Sequence, residues 1–257
     1  MVLSEQVLDE IREAAAVLVD CSYVVGLTGA GVSVESGIRP FRGPGGIWTE
    51  RGEPSMDGYQ RFVSDPKVWW ENRVKRTSDF GSSIESAKPN LGHLALAELE
   101  ELGVLKSLIT QNIDNLHKAA GSLNVLEIHG NRTLMRCVSC NTRWRKDEFK
   151  IDELPPRCPH CDGVVKGDTV MFGEPIPTDV LDKCIMEANR SDCMLVAGTS
   201  ATVNPAASLP LITRRNGGRL VEVNLYTSQL SQIVDVMIQA PSGEALPVLV
   251  EEVQKLI

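Results

Sequence analysis

Amide, carboxylate and imidazole side chains are concentrated between Thr110 and Gly130. The polar residues of this stretch are Gln111, Asn112, Asp114, Asn115, His117 and His129. They follow an apolar run at 104–109, which predicts a strand, and ligands of open α/β sheets bind beyond the carboxyl ends of the strands. A polar cluster in this position can also be no more than turn and cap chemistry. The stretch is therefore a candidate site, and the other motifs of the sequence must decide between a functional and a purely structural role.

Two Cys-x-x-Cys pairs predict a metal site. Seventeen residues separate Cys137-x-x-Cys140 from Cys158-x-x-Cys161, which is the spacing of two knuckles that converge on one tetrahedral Zn²⁺. Four thiolates leave no open coordination position for water, so we expect the zinc to be structural. The other three cysteines, Cys21, Cys184 and Cys193, lie in apolar runs and are expected to be buried.

A third candidate feature is a glycine turn near the N-terminus. The apolar run Tyr23–Leu27 predicts a buried strand, and Gly29-Ala30-Gly31 follows it after one residue. Such a turn can aim backbone N–H groups at a pyrophosphate. Val34 stands where the usual dinucleotide fingerprint has its third glycine, so an ordinary turn is an equal alternative. The loop that follows carries Arg39 and Arg42, which could bind phosphates or a carboxylate.

The elements that must position these residues alternate along the chain. Strands are predicted at 104–109, 193–197, 220–223 and 234–238, and amphipathic helices at 5–19, 91–102 and 246–253. Alternating strands and helices predict a doubly wound parallel sheet. Ser4 and Asn90 are expected to cap their helices, and Gly103 to end the second one.

Composition places the chain among ordinary globular proteins. It has 257 residues, of which 42% are apolar and 23% charged, and its formal net charge is -8. An acidic chain is a poor general binder of nucleic acid. No apolar run has the roughly 18 residues of a membrane span, and we expect a cytoplasmic protein without a membrane partner. The zinc region, 132–166, is mildly basic, which leaves a nucleic-acid-binding zinc ribbon as the non-enzymatic alternative.

Taken together, the motifs resemble those of the sirtuin family of NAD-dependent protein lysine deacylases, in its prokaryotic form. The blocks that carry the resemblance are 29–43, 110–117, 127–130, the four cysteines, 172–174, 198–200 and 205–207. The resemblance implies a Rossmann-like domain from 1–45, 89–131 and 167–257. A helical insertion, 46–88, and a zinc module, 132–166, would form a smaller domain, with NAD and an acyl-lysine peptide between the two.

The resemblance also implies site residues. His129 would be the general base, with Asn112 and Asp114 as its catalytic partners. NAD would be bound by Gly29, Ala30, Gly31, Ser33, Phe41, Arg42, Gln111, Asn112, Ile113, Asp114, Gly198, Thr199, Ser200, Asn224 and Ala240. The peptide backbone would add as a strand along Val170, Phe172, Gly173 and Glu174. His117 is expected to be a structural residue on a helix face, and His93 and His160 to lie at the surface or behind the site.

The implied reaction transfers the acyl group to ADP-ribose and releases nicotinamide. We expect a deacetylase. A desuccinylase or demalonylase, a longer-chain deacylase and a protein ADP-ribosyltransferase are alternatives within the family. Enzymes that prefer succinyl groups often carry Tyr-x-x-Arg where this chain has Asn72 and Lys75, although Arg73 and Arg76 are close by. Pro40 also replaces the usual residue before Phe-Arg in the cofactor loop. A dehydrogenase would need a hydride-accepting pocket, for which the chain offers no residue set.

Overall fold

A six-stranded parallel sheet forms the centre of the computed structural model, which describes residues 3–75 and 84–257. Its strands are β1 Val24–Thr28, β2 Leu105–Thr110, β3 Val125–Glu127, β7 Cys193–Ala197, β8 Arg219–Val223 and β9 Val236–Ile238, in the order β3-β2-β1-β7-β8-β9. The central strand, β1, pairs in parallel with β2 on one side and with β7 on the other. Both β1 and β7 are buried along their whole length, which explains their continuous apolar sequences.

Helices cover both faces of this sheet. One layer consists of α1 Glu5–Asp20, α5 Leu91–Glu101 and α9 Ser242–Gln254, and the other of α7 Thr178–Arg190 and α8 Leu209–Arg215. Successive strand residues divide between the layers, since Leu195 packs in the first core and Val196 in the second. The doubly wound architecture predicted from the sequence is therefore confirmed.

The predicted helix ends are also found. The Ser4 hydroxyl accepts a hydrogen bond from Val7 N at 3.3 Å at the start of α1. Asn90 accepts one from Gly92 N at 2.9 Å, and Gly103 adopts a φ of 73° just after α5. These local signals set where α1 and α5 begin and where β2 follows.

A second, antiparallel sheet lies beside the first. It has the order β5-β4-β6, with β4 Leu134–Cys137, β5 Arg143–Arg145 and β6 Val165–Gly167. Helices α3 Gly58–Ser64 and α4 Pro66–Lys75 pack against it, and the short α2 Ile47–Arg51 precedes them. Phe62 and Trp70 share a core with Met135 and Val165, and Trp70 Nε1 donates to Val165 O at 3.0 Å. The predicted core role of Trp69 and Trp70 is thus confirmed, whereas Phe80 and Arg76 lie outside the described residues.

Three further short elements are described: the 3₁₀ helices Ala30–Ser36 and Ala206–Ser208, and α6 Leu116–Ala119. The first replaces the long helix that usually follows a dinucleotide turn, as the loop-like sequence after Gly31 predicts. In the part of the chain that the structure describes, every helix is too short or too polar to cross a bilayer.

Candidate active site

The candidate site lies along one edge of the parallel sheet. Because parallel strands end at the same edge, the segments after β1, β2, β7 and β8 meet there. These segments bring together the glycine turn at 29–31, the polar stretch at 111–115, the residues at 198–200 and Asn224. Sequence reasoning predicted each segment separately, and the strand order explains why they form one site.

Two glycine turns touch each other backbone to backbone. Gly31 N donates to Gly198 O at 2.7 Å, and a Cβ on Gly31 would lie only 2.7 Å from Gly198 Cα. A Cβ on Gly29 would lie 2.7 Å from Thr199 Cβ. Gly198 itself has a φ of 61°, a conformation that favours glycine. The glycines therefore form a cradle of bare backbone, of the kind that a pyrophosphate group fits.

Polar side chains next to the glycine cradle form a directed chain of hydrogen bonds. Asn112 Nδ2 donates to Gly29 O and to Ser33 Oγ, both at 3.0 Å. Ser33 Oγ in turn donates to Asp114 Oδ2 at 2.7 Å, and Asp114 Oδ1 accepts from Leu116 N at 3.0 Å. The Asp114 carboxylate is thereby fixed beside the partly exposed Ile113. A fixed carboxylate beside an apolar side chain suits a carboxamide such as that of nicotinamide.

Two buried histidines, His93 and His117, lie next to the residues of this hydrogen-bond network. His93 Nδ1 accepts from Asn90 N at 3.3 Å, so the ring proton is on Nε2, which lies 3.4 Å from Ser33 Oγ. His117 Nε2 lies 2.9 Å from Thr28 Oγ1, which already donates to Thr110 Oγ1. Burial is the main cause that lowers the pKa of His93 to about 4 and that of His117 to about 3. His117 is buried on the short helix that carries it, and His93 is fully buried behind the site, which is one of the two positions expected for it.

His129 is positioned to act as a base. Its Nδ1 lies 3.1 Å from Gln111 O, and because a carbonyl can only accept, Nδ1 carries the proton and Nε2 is free to take one. Burial lowers the pKa of His129 below its ordinary value of 6.5, and the bond to Gln111 opposes this shift. The imidazole is therefore neutral at physiological pH, as a general base must be.

An aromatic cluster connects the loop after Ile38 to the predicted peptide segment, 170–174. Phe41 stacks on Trp48 with ring centroids 4.6 Å apart, and Trp48 meets the edge of Phe172 at 5.4 Å. The Arg42 guanidinium lies 4.7 Å from the Trp48 ring and pairs with Glu53 at 2.9 Å. In this structure Arg42 is thus bound within its own loop. No role was predicted for Trp48 from the sequence. The signal that could have identified it is an aromatic residue directly after the glycine-containing loop Gly45-Gly46-Ile47.

The predicted peptide segment, 170–174, contacts three parts of the fold. Val170 N donates to His129 O at 2.9 Å, and Tyr59 N of α3 donates to Phe172 O at 3.1 Å. The side chain of Glu174 is 3% exposed and forms ion pairs with the small sheet. Only the backbone of Glu174 is thus available to a peptide.

The residues predicted to lie near the adenosine form a connected group. Asn224 Nδ2 donates to Thr199 O at 2.8 Å and to Glu222 Oε1 at 3.2 Å, and Gln111 Nε2 donates to Thr199 Oγ1 at 2.9 Å. Ser200 is exposed at this edge, while Ala240 is buried. The buried Glu222, which orients Asn224, was missed because an acid within an apolar strand gives no functional signal in sequence.

The four predicted cysteines fit a zinc ion. Their sulfurs all lie within 4.8 Å of one another, with Cys137–Cys161 at 3.5 Å and Cys140–Cys158 at 3.7 Å. A tetrahedron of Zn–S bonds of about 2.3 Å has edges of about 3.8 Å, which these separations approach. His160 is exposed and stacks on Trp144 at 6.0 Å, so the donor set is sulfur alone. Cys184 and Cys193 are buried as predicted, and Cys21 is half-buried.

Known proteins share this arrangement. The family model described as "Sir2 family" matches residues 29–205. NAD-dependent protein deacylase 1 of Archaeoglobus fulgidus is 42% identical over 260 residues, covering 99% of this chain and 100% of the relative. A crystal structure of a Sir2 homologue with NAD superposes with a TM-score of 0.79 at 42% identity, covering 95% and 94% of the two chains. A Sir2 structure with a deacetylated p53 peptide and 3′-O-acetyl ADP ribose has a TM-score of 0.77 at 36% identity, with 94% and 98% covered. The chain therefore belongs to the Sir2 family, the sirtuins, as its motifs predict.

Proposed function

We propose that this protein is an NAD-dependent protein lysine deacylase that removes acetyl groups. The observation that carries the proposal is the neutral His129, whose Nδ1–H is held by Gln111 O so that Nε2 is unprotonated, and whose backbone oxygen accepts from Val170 N of segment 170–174. A neutral imidazole next to this segment can accept a proton from a group placed between NAD and an acyl-lysine peptide. The Sir2 homologue with NAD and the Sir2–peptide structure support this pairing.

The chain's residues would divide the work as follows. The backbone of Gly29, Ala30, Gly31, Gly198, Thr199 and Ser200, with the Ser33 side chain, would hold the pyrophosphate. Bound NAD would supply ADP-ribose as the acyl acceptor, with nicotinamide as the leaving group. Ile113 and Asp114 would hold the carboxamide, Asn112 and Gln111 the ribose, and Asn224 and Ala240 the adenosine.

Proton transfer and exclusion of water would fall to two other residues. His129 Nε2 would accept a proton from a ribose hydroxyl, while its Nδ1–H remains on Gln111 O. Phe41, stacked on Trp48, would shield the reacting sugar from water, and Arg42 would move with the same loop. The peptide backbone would pair with the backbone of Val170, Phe172, Gly173 and Glu174.

The preference for acetyl groups rests on α4. Asn72 and Lys75 are both exposed on this helix and offer an amide and an ammonium instead of a phenol and a guanidinium. An ammonium cannot make the bidentate contact by which arginine selects a carboxylate. A succinyl or malonyl group would therefore gain less here than in a site with Tyr-x-x-Arg.

The same proposal includes the division of the chain into two domains. Residues 1–45, 89–131 and 167–257 would form the NAD-binding domain, and 46–88 with 132–166 the small domain.

Five of the eight basic residues in 132–166 pair with carboxylates, which argues against a nucleic-acid-binding ribbon. Four free cysteines arranged for zinc favour a reducing compartment, so we place the protein in the cytoplasm.

The test uses one lysine peptide in acetylated and succinylated forms, with and without NAD. Mass spectrometry should show deacetylation only with NAD, with nicotinamide and O-acetyl-ADP-ribose formed in equal amounts. His129→Ala should lower turnover by at least about a hundredfold, and the control His160→Ala should leave it unchanged. If the succinylated peptide is deacylated faster than the acetylated one, the protein is a desuccinylase and not a deacetylase. Substantial turnover in His129→Ala, with zinc content and folding intact, would refute the role of the base.

A further inference from the structure

Four charged side chains are buried where the small sheet meets segment 170–174. Arg136 on β4 and Lys166 on β6 lie against Asp168 and Glu174, and each of the four side chains is at most 4% exposed. Lys166 Nζ lies 2.9 Å from Glu174 Oε2, and Arg136 Nη2 donates to Glu174 Oε1. Arg136 Nε lies 3.0 Å from Asp168 Oδ1 in an ion pair, and the hydrogen bond to this oxygen comes from Arg143 Nε at 3.0 Å. We call these four residues the buried charge cluster.

Stability alone does not explain such a cluster. Removing charges from water costs free energy, and well-packed apolar residues of similar volume often stabilise a fold as well as a buried ion pair. Ion pairs with several directed hydrogen bonds do, however, fix the relative position of the elements that carry them. The geometry around Glu174 shows which elements these are.

Glu174 closes the tip of segment 170–174 and ties it to the small sheet. Its Oε2 accepts from Met171 N at 2.8 Å, and Glu174 N donates back to Met171 O at 3.0 Å. Gly173, with a φ of 77°, makes this tight turn, and a Cβ there would clash with Met56 O. The same carboxylate binds Lys166 and Arg136, so one side chain connects the turn to two strands.

We infer that Glu174 is a positioning residue, whose side chain sets the place of Phe172 and Gly173 along the cleft and thereby the affinity for the peptide. This rests on the proposed function, in which the peptide pairs with segment 170–174. Glu174 reaches the peptide only through its backbone, and its carboxylate acts through the turn. The residues assigned to NAD lie on other loops, and among the described residues none of them shares a hydrogen bond or ion pair with the buried charge cluster.

The test compares Glu174→Gln with a charge-balanced double variant, Lys166→Met with Glu174→Gln. The double variant restores the net charge of the cluster but not the carboxylate that holds the turn. Asp147→Asn is the matched control, because Asp147 pairs with Arg145 on the same sheet at 2.8 Å but is exposed. For each protein we would measure KM for peptide, KM for NAD, kcat, melting temperature, and hydrogen exchange at the Met171 amide.

Both cluster variants should raise the peptide KM about tenfold while the KM for NAD changes less than about twofold. The Met171 amide should exchange at least about tenfold faster in both, since the single, uncharged amide oxygen of Gln is a weaker acceptor than the carboxylate and cannot face both Met171 N and Arg136. The double variant should regain melting temperature without regaining the peptide KM. Asp147→Asn should match the wild type throughout.

Three results would overturn the inference: an unchanged peptide KM, a double variant that regains it, or variants that cannot be obtained folded, which would assign the cluster to stability alone. Failure of the proposed function is distinguishable from these, because then the wild-type protein would not deacylate the peptide at all. The hydrogen-exchange comparison needs no substrate and would still decide whether Glu174 holds the turn.

Discussion

Acid should unfold this protein by protonating two buried histidines, His93 and His117. Their side chains are 0% and 2% exposed, and their rings lie 4.8 Å apart. Both are neutral in the folded protein, because burial lowers the pKa of His93 to about 4 and that of His117 to about 3 from the ordinary 6.5. Among the described residues, His117 Nδ1 also has no hydrogen-bond partner that could stabilise an added proton.

The direction in which stability changes with pH follows from the linkage between protonation and folding. Below pH 6.5 the two histidines bind protons in the unfolded chain but stay neutral in the folded one. Their contribution to the free energy of unfolding is therefore fully present above pH 6.5 and is lost as pH falls towards the folded pKa values. One unit of pKa corresponds to about 1.4 kcal/mol. Integrating over the step from pH 6 to pH 5 gives about 1.2 kcal/mol for each histidine, or about 2.4 kcal/mol for the pair.

The assay is chemical denaturation at pH 6 and pH 5 for the wild type, His117→Gln and the exposed control His160→Gln. Loss of zinc at low pH adds a further pH dependence to all three proteins, so the difference between them is decisive. His117→Gln should lose about 1.2 kcal/mol less than the wild type over this step, and His160→Gln should behave as the wild type. Equal losses in His117→Gln and the wild type would refute the buried-neutral assignment.

Two further predictions concern the ligand sites. Gly31→Ala places a Cβ against Gly198 and should weaken NAD binding at least about tenfold by calorimetry while the zinc content is kept; unchanged affinity would contradict the glycine cradle. Cys137→Ala should lose the zinc by atomic absorption together with much of the soluble protein, since a closed four-sulfur site contributes directly to folding. A soluble, active and metal-free variant would contradict the structural role.

Local signals in the sequence were sufficient for five of the six strands of the parallel sheet, for α1, α5 and α9, and for the zinc site. The caps at Ser4 and Asn90 and the apolar runs of β1 and β7 depend on neighbours a few residues away, and each is found in the structure. The cysteine spacing is equally local. Such features are readable because periodicity and capping act within one or two turns of chain.

Contacts between distant segments could not be predicted from the residues alone. Ser33 and Asp114 are 81 residues apart, and nothing in either segment indicates that one would donate to the other. The contact of His93 Nε2 with Ser33 Oγ, at 3.4 Å and 60 residues away, has the same cause. Glu174 was expected to pair with the peptide through its backbone, but the long-range ion pairs of its side chain with Arg136 and Lys166 could not be predicted.

The strand order also has a consequence for how the chain folds as it is synthesised. β1 pairs with β2, which is made about 80 residues later, and with β7, which follows after a further stretch of similar length. Until residue 193 has left the ribosome, one edge of this apolar strand has no partner. Contacts that span so much of the chain make folding slow, and an unpaired apolar edge is where other chains add. A nascent chain that stops before β7 is therefore the form of this protein most prone to aggregate.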